Sequence, residues 1–156
     1  MLIGAHLAKF RRLHAVLERF DPLVDKEMWI WNAMNGGVHL LNAALHKIGV
    51  TAEVDSFHSQ LEGLYVVPDR TGGNLRDALH PPGDVMHVGQ PPIAAPLPPR
   101  IVRACAALRS IEDLREPYVR GDRQPEPGDD RRWRDRYLEC VNELVAEMGV
   151  DGGEST

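Results

Sequence analysis

The sequence predicts an all-α protein, a four-helix bundle in which a long proline-rich loop joins the second and third major helices. Three observations lead to this fold class. Four segments repeat apolar residues every three or four positions, as amphipathic helices do. No segment alternates apolar and polar residues well enough to compete as a β-strand. Seven prolines lie between residues 81 and 99, where they remove backbone donors and interrupt regular structure.

The length and composition of the chain are typical of one globular domain. Of its 156 residues, 43% are hydrophobic and 26% are charged. We expect residues 1–150 to form a single helical-bundle domain that includes the loop of residues 68–99. Residues 151–156 are rich in glycine and charge, and we expect them to form a disordered tail.

The first two helices are predicted from their apolar spacing. Residues 2–20 form an amphipathic helix whose buried side carries Ile3, Leu7, Phe10, Leu13, Leu17 and Phe20. The second helix is predicted over residues 23–48, with Gly49 as its C-terminal stop. Its main apolar stripe consists of Ile30, Met34, Leu41, Leu45 and Ile48.

The most unusual feature of the second helix is that residues 28–46 include no Asp, Glu, Lys or Arg. We therefore expect this helix to be buried on nearly every side. Gly36 and Gly37 at its centre cost roughly 1.5–2 kcal/mol relative to alanine, so another helix approaches closely there or the helix bends. The stretch is not a membrane span, because its three Asn and two His would each need a partner in hydrocarbon.

The middle of the chain is predicted to be mostly irregular. A short helix is expected over residues 55–65 and at most a helical turn over residues 74–80, while residues 65–67 and 85–88 could form short extended pieces. The remaining proline-rich chain is expected to be extended. We expect this loop to pack across the bundle, because it would otherwise expose Val85, Met86, Val88, Ile93 and Leu97.

The last two helices follow the loop. The third major helix is predicted to begin at Pro99 or Arg100 and to end near Glu116, with Ile101, Cys105, Leu108 and Ile111 on its buried side. We expect Asp129 or Asp130 to cap the last helix, and Gly149 to end it. Its core positions are Trp133, Tyr137, Val141, Leu144 and Met148.

A second stripe on the charge-free helix is the main candidate for a functional surface. It consists of uncharged residues that can form hydrogen bonds and that follow each other at three or four positions: Trp31, Asn35, His39, Asn42 and His46. We call these residues the polar column, and His58 could return near it. One interpretation is a ligand pocket or a self-complementary dimer surface. The other is a bundle core whose polar groups bond carbonyls of nearby loops.

The histidine spacing does not predict a metal site. His39 and His46 are two helical turns apart, which separates them by about 10 Å, whereas zinc binds each imidazole nitrogen at about 2.1 Å. We therefore expect no metal ligands and no cofactor. Phosphate-binding and nucleophile-elbow motifs are absent from the sequence. Cys105 and Cys140 are expected to be apolar helix positions rather than nucleophiles.

The net charge and the N-terminal sequence indicate the expected partners and location. The formal net charge of −5 does not favour binding to nucleic acid or to an anionic membrane, so we expect neither partner. Lys9, Arg11 and Arg12 interrupt the first apolar segment, which differs from a secretory signal peptide. A cytoplasmic location is therefore expected.

The chain also resembles the HEPN superfamily of small helical bundles. The resemblance rests on the run WIWNAMNGGVHLLNAALHKIGV, the segment DSFHSQLEGL after it, and LRSIEDLREPYVRG before the last helix. It implies a bundle and a dimer. Many members are ribonucleases whose dimer-interface site uses an arginine and a histidine separated by four to six residues. Here Arg76 and His80 are separated by three residues, and no catalytic residue is carried over.

We therefore predict a non-enzymatic helical-bundle protein that acts as an interaction or small-ligand-binding module and forms a homodimer. The alternative is a metal-dependent or histidine-dependent hydrolase, similar to a ribonuclease of a HEPN-like bundle, that uses His39, His46 or His58.

Overall fold

Four α-helices lie in the part of the chain that the structure describes, as the sequence predicts. The computed structural model describes residues 1–53, 84 and 95–149, together with the backbone of residues 64–68 and 75–79. The helices are α1 (Ile3–Leu17), α2 (Lys26–Lys47), α3 (Pro99–Glu112) and α4 (Asp129–Met148). A π-helical turn, Arg115–Arg120, lies between α3 and α4. The all-α four-helix fold is confirmed.

Helix α2 is the centre of this fold. It packs against α1, α3, α4 and the π-helical turn, while α3 and α4 pack against each other. Most of its charge-free stretch is buried, including Trp29, Ile30, Leu41 and Leu45. Its exposed members, Met28, Trp31 and Asn35, all lie in its first half on one side. The prediction of a helix buried around most of its circumference is confirmed, except along this short exposed strip.

The two central glycines of α2 provide close contact with neighbouring helices. A Cβ atom on Gly37 would lie 2.5 Å from Leu108 Cδ1 of α3, and one on Gly36 would lie 3.1 Å from the Tyr137 hydroxyl of α4. Of the two explanations that the sequence allows, close approach of another helix is therefore confirmed. Burial of the neighbouring side chains offsets the propensity cost of the glycines.

The ends of the helices are set by glycine where the sequence predicts it. Gly49 after α2 has φ of +74°, and Gly149 after α4 has φ of +59°. Both conformations are left-handed and favour glycine. The start of α4 differs from the prediction, because Gly128 precedes the helix and neither aspartate caps it. Instead, the buried Asp129 carboxylate accepts the backbone N–H of Glu126 at 2.7 Å.

The buried sides of the last two helices follow the predicted spacing. Trp133, Tyr137, Val141, Leu144 and Met148 of α4 are all buried. In α3, Cys105 is only partly buried, whereas the other predicted positions, Ile101, Leu108 and Ile111, are buried. Helix α3 ends at Glu112, earlier than predicted, because the chain continues as the π-helical turn.

The connection between α2 and α3 contains an antiparallel hairpin that the sequence did not predict. Strand β1 (Leu64–Pro68) pairs with β2 (Leu75–Leu79), with Val66 opposite Asp77. The expected extended piece at residues 65–67 is confirmed, but the helical turn at 74–80 is wrong, because residues 75–79 form ladder hydrogen bonds with β1. The predicted helix at 55–65 is wrong at residues 64 and 65, and its remainder lies outside the described residues.

Other predictions for the connection and the tail also lie outside the described residues, namely the extended piece at 85–88, most of the loop packing, and the tail of residues 151–156. Within the part of the chain that the structure describes, no helix has the length and hydrophobicity needed to cross a bilayer.

A substitution at Gly37 tests the close packing of α2 on α3. We expect Gly37→Ala to lower the free energy of unfolding by about 1 kcal/mol, because overpacking against Leu108 outweighs the gain in helix propensity. Gly4→Ala is the matched control, since a Cβ atom at Gly4 has no neighbour within 4 Å. It should leave stability unchanged or higher.

Urea denaturation of both variants measures this difference. In a Leu108→Ala background the space is vacated, so Gly37→Ala should become neutral or stabilising there. A Gly37→Ala protein as stable as Gly4→Ala in the wild-type background would contradict the described packing.

Candidate functional site

A histidine on the buried side of α1 is the centre of the candidate site. His6 lies three residues after Ile3 and four residues before Phe10, so it belongs to the apolar stripe that faces α2. Its residue surface is only 1% exposed. Its ring centroid lies 5.2 Å from that of His39 and 5.4 Å from that of His46. One imidazole of α1 thus lies between two imidazoles of α2.

Asp84, from the connection between α2 and α3, completes a cluster with these histidines. Its Oδ1 atom lies 2.8 Å from His46 Nε2 and 3.1 Å from His6 Nε2. The amino group of Met1 also donates to Oδ1, at 3.0 Å. His6 Nδ1 lies 3.0 Å from His39 Nδ1. We call His6, His46 and Asp84 the His-Asp cluster.

The end of α2 orients the second histidine of the cluster. Because Gly49 turns the chain, the N–H groups of Val50 and Thr51 both reach back to the Leu45 carbonyl. The buried Thr51 hydroxyl thereby comes to lie 2.7 Å from His46 Nδ1. Both nitrogens of His46 are therefore engaged, Nδ1 by Thr51 and Nε2 by Asp84.

Burial and charge alter the acid-base behaviour of the cluster. Burial raises the pKa of Asp84, but the hydrogen bonds from His46 and His6 lower it more, so the pKa lies well below the ordinary carboxyl range. Asp84 is therefore ionised at neutral pH. Burial, together with the nearby His6 and Lys9, lowers the pKa of His39 to about 4. His39 is therefore neutral at neutral pH.

The atoms of the His-Asp cluster have the spacing of metal ligands. One nitrogen from each histidine and one Asp84 oxygen all lie within 4.8 Å of one another. Ligands about 2.1 Å from a tetrahedral ion are separated by about 3.4 Å from each other. The nitrogen-to-oxygen distances of 2.8 and 3.1 Å are only slightly shorter. Small movements of the side chains would admit a cation.

Two members of the polar column belong to this site and two do not. His46 is a member of the cluster, and His39 is bonded to it through His6. Trp31 and Asn35 are exposed, and the guanidinium of Arg115 lies 4.9 Å from the Trp31 ring.

Asn42 and His58 are the remaining predicted site residues. Asn42 is buried, and its side-chain amide donates to the carbonyl of Val38 at 3.0 Å. His58 lies outside the described residues.

Sequence reasoning missed His6, Thr51 and Asp84, although two of them carry a signal. His6 is a titratable residue on an otherwise apolar helix stripe, which is unusual unless it is paired. Asp84 is the only formally charged residue between residues 78 and 99. Thr51 carries no signal of this kind. His39 and His46 both belong to α2, so their spacing does not reveal a ligand from α1 or from the connection.

The cysteines lie in apolar surroundings. Burial raises the pKa of Cys140 to about 12, and burial also raises the pKa of Cys105. Both therefore remain thiols at neutral pH, and this chemistry does not favour a nucleophile.

Comparison of the chain with protein-family models, with curated proteins and with solved structures found no match. The resemblance to the HEPN superfamily stays a prediction.

The acid-base behaviour of His39 is directly testable. In protein treated with a chelator, NMR titration of the imidazole should give His39 a pKa near 4, instead of its ordinary value of 6.5. As pH falls, the unfolded chain takes up this proton before the folded chain does. The free energy of unfolding therefore decreases between about pH 6.5 and 4. Above that range, His39 does not change it.

Two variants control this measurement. Lys9→Gln should raise the pKa of His39 by removing a nearby positive charge. His39→Gln should flatten the pH dependence of unfolding in the same range. Titration of His39 at or above 6.5 in the folded protein would contradict the described surroundings.

Proposed function

We propose that this protein binds one divalent transition-metal ion through His6 Nε2, His46 Nε2 and a carboxylate oxygen of Asp84, and acts as a small-ligand-binding module built on a helical bundle. The observation that carries the proposal is the convergence of these three donor atoms within 4.8 Å. Imidazole and carboxylate ligands together suit Zn²⁺ and the neighbouring first-row ions.

The outer hydrogen bonds of both histidines support the proposal. A metal-bound imidazole usually donates its second N–H to a fixed acceptor, which sets the tautomer and the ring orientation. His46 Nδ1 has the Thr51 hydroxyl at 2.7 Å, and His6 Nδ1 has His39 Nδ1 at 3.0 Å. Each imidazole thus directs Nε2 toward Asp84 while Nδ1 has a partner.

Charge also favours a cation at this place. Asp84 is ionised at neutral pH and supplies one negative charge beside two buried imidazoles. The Met1 ammonium pairs with the same carboxylate oxygen at 3.0 Å, so a bound metal ion would take the place of that cation. The competing interpretation is a purely structural hydrogen-bonded cluster, in which Asp84 fastens the connection to α1 and α2. The two interpretations differ in the atoms that Nε2 contacts, because a metal ligand presents a lone pair there and a hydrogen-bond donor presents N–H.

The other parts of the functional prediction remain proposals. A homodimer formed through the polar column would use its exposed part, because Asn42 and His46 are buried within one chain. Trp31 and Asn35 form that exposed part, and Met28 is exposed beside them. A metal ion at the His-Asp cluster would also be compatible with the metal-dependent hydrolase alternative.

Metal titration of the untagged, chelator-treated protein tests the proposal. Isothermal titration calorimetry with Zn²⁺ should give one ion per chain. His6→Gln, His46→Gln and Asp84→Asn should each weaken binding by about 100-fold or more, because each variant removes one of three ligands. Glutamine and asparagine keep a polar group of similar size at these buried positions.

His14→Gln is the matched control, because His14 is a half-buried α1 histidine outside the cluster. His14 Nδ1 lies 3.0 Å from the Tyr137 hydroxyl, on the side of α1 that faces α4. Its variant should bind zinc as the wild type does, and circular dichroism should verify that all four variants are folded. Absence of zinc binding by the wild type, or equal loss in His14→Gln and His6→Gln, would contradict the proposal.

A further inference from the structure

Among the described residues, the proposed metal site has three protein ligands, one fewer than a closed structural site. Structural zinc sites take four protein ligands, whereas sites with three protein ligands keep a position for water or substrate. The part of the chain that the structure describes supplies three ligands: His6, His46 and Asp84. Two histidines and one carboxylate also form the ligand set of non-haem iron centres that keep open positions.

We infer that the remaining position on this metal binds a small, exchangeable anionic ligand, such as hydroxide or the carboxylate of a small molecule. This inference rests on the proposed metal binding. It deepens that proposal by naming the chemical class of the molecule that the site would take.

Access to the open position is possible from the side of the carboxylate. The side chains of His6 and His46 are 1% and 0% exposed, so the bundle closes the site behind the imidazoles. Asp84 is 22% exposed, so solvent reaches the cluster from that side. His39 is also partly exposed and lies next to His6.

The charge balance of the site favours an anion. A divalent ion with two neutral imidazoles and one carboxylate has a net charge of about +1, and the Met1 ammonium beside Asp84 adds a further positive charge. Lys9 of α1 adds a positive charge that acts on His39, which is in contact with His6. A monoanionic donor would neutralise the metal centre, whereas a cationic or apolar molecule would gain nothing from it.

Cobalt-substituted protein tests the inference, because the visible spectrum of Co²⁺ reports its ligands. Azide and acetate, each added separately at millimolar concentrations, should change the spectrum in a saturable way. Ultrafiltration should show that cobalt remains with the protein throughout. In Lys9→Gln the dissociation constants for both anions should rise by about threefold, because one nearby positive charge is lost.

Lys26→Gln is the charge-matched control. Lys26 lies at the opposite end of α2 from His46, and its ammonium group donates to the Arg123 carbonyl at 2.9 Å. Its loss should leave anion binding unchanged. Cobalt that binds but whose spectrum responds to neither anion would overturn this inference while leaving metal binding intact. Failure of cobalt and zinc to bind at all would overturn both.

Discussion

The carboxylate of Asp84 joins three distant parts of the chain. It accepts hydrogen bonds from His6 of α1 and His46 of α2, which lie 78 and 38 residues away in sequence. Burying two imidazoles and a carboxylate is costly unless each polar atom has a partner. The contacts between them satisfy this requirement. The same few atoms hold Asp84 near α1 and set the geometry of the site.

Helix α2 links the packing of the bundle to this site. Gly37 in its middle allows Leu108 of α3 to approach closely, and Gly49 at its end turns Thr51 back toward His46. The same helix therefore provides the central packing surface and orients one histidine. Side chains held by packed helices, such as His6 and His46, are positioned more rigidly than side chains on loops, and such rigidity favours selective binding.

The four helices and the glycine stops of α2 and α4 could be predicted from the sequence because they depend on local patterns. Apolar spacing gave the buried faces of α2 and α4, and glycine gave the stops at Gly49 and Gly149. The same spacing placed His39 and His46 on one side of α2. It could not show that His6 of another helix lies between them, because no local pattern encodes a contact between distant segments.

The hairpin in the connection was missed for a related reason. Strand β1 has β-branched residues at Val66 and Val67, but β2, LRDAL, has no strand pattern of its own and is extended because it pairs with β1. Asp84 was missed as a site residue because its role depends on partners in α1 and α2. A lone charge within an uncharged stretch was the only trace of that role in the sequence.

The most direct measurement of the central claim is anomalous X-ray diffraction from crystals grown with zinc. The proposal predicts one strong anomalous peak about 2.0–2.2 Å from His6 Nε2, His46 Nε2 and an oxygen of Asp84. Absence of a peak there, with both Nε2 atoms still hydrogen-bonded to Asp84 in the zinc-containing crystal, would show that the cluster is a structural contact and not a metal site.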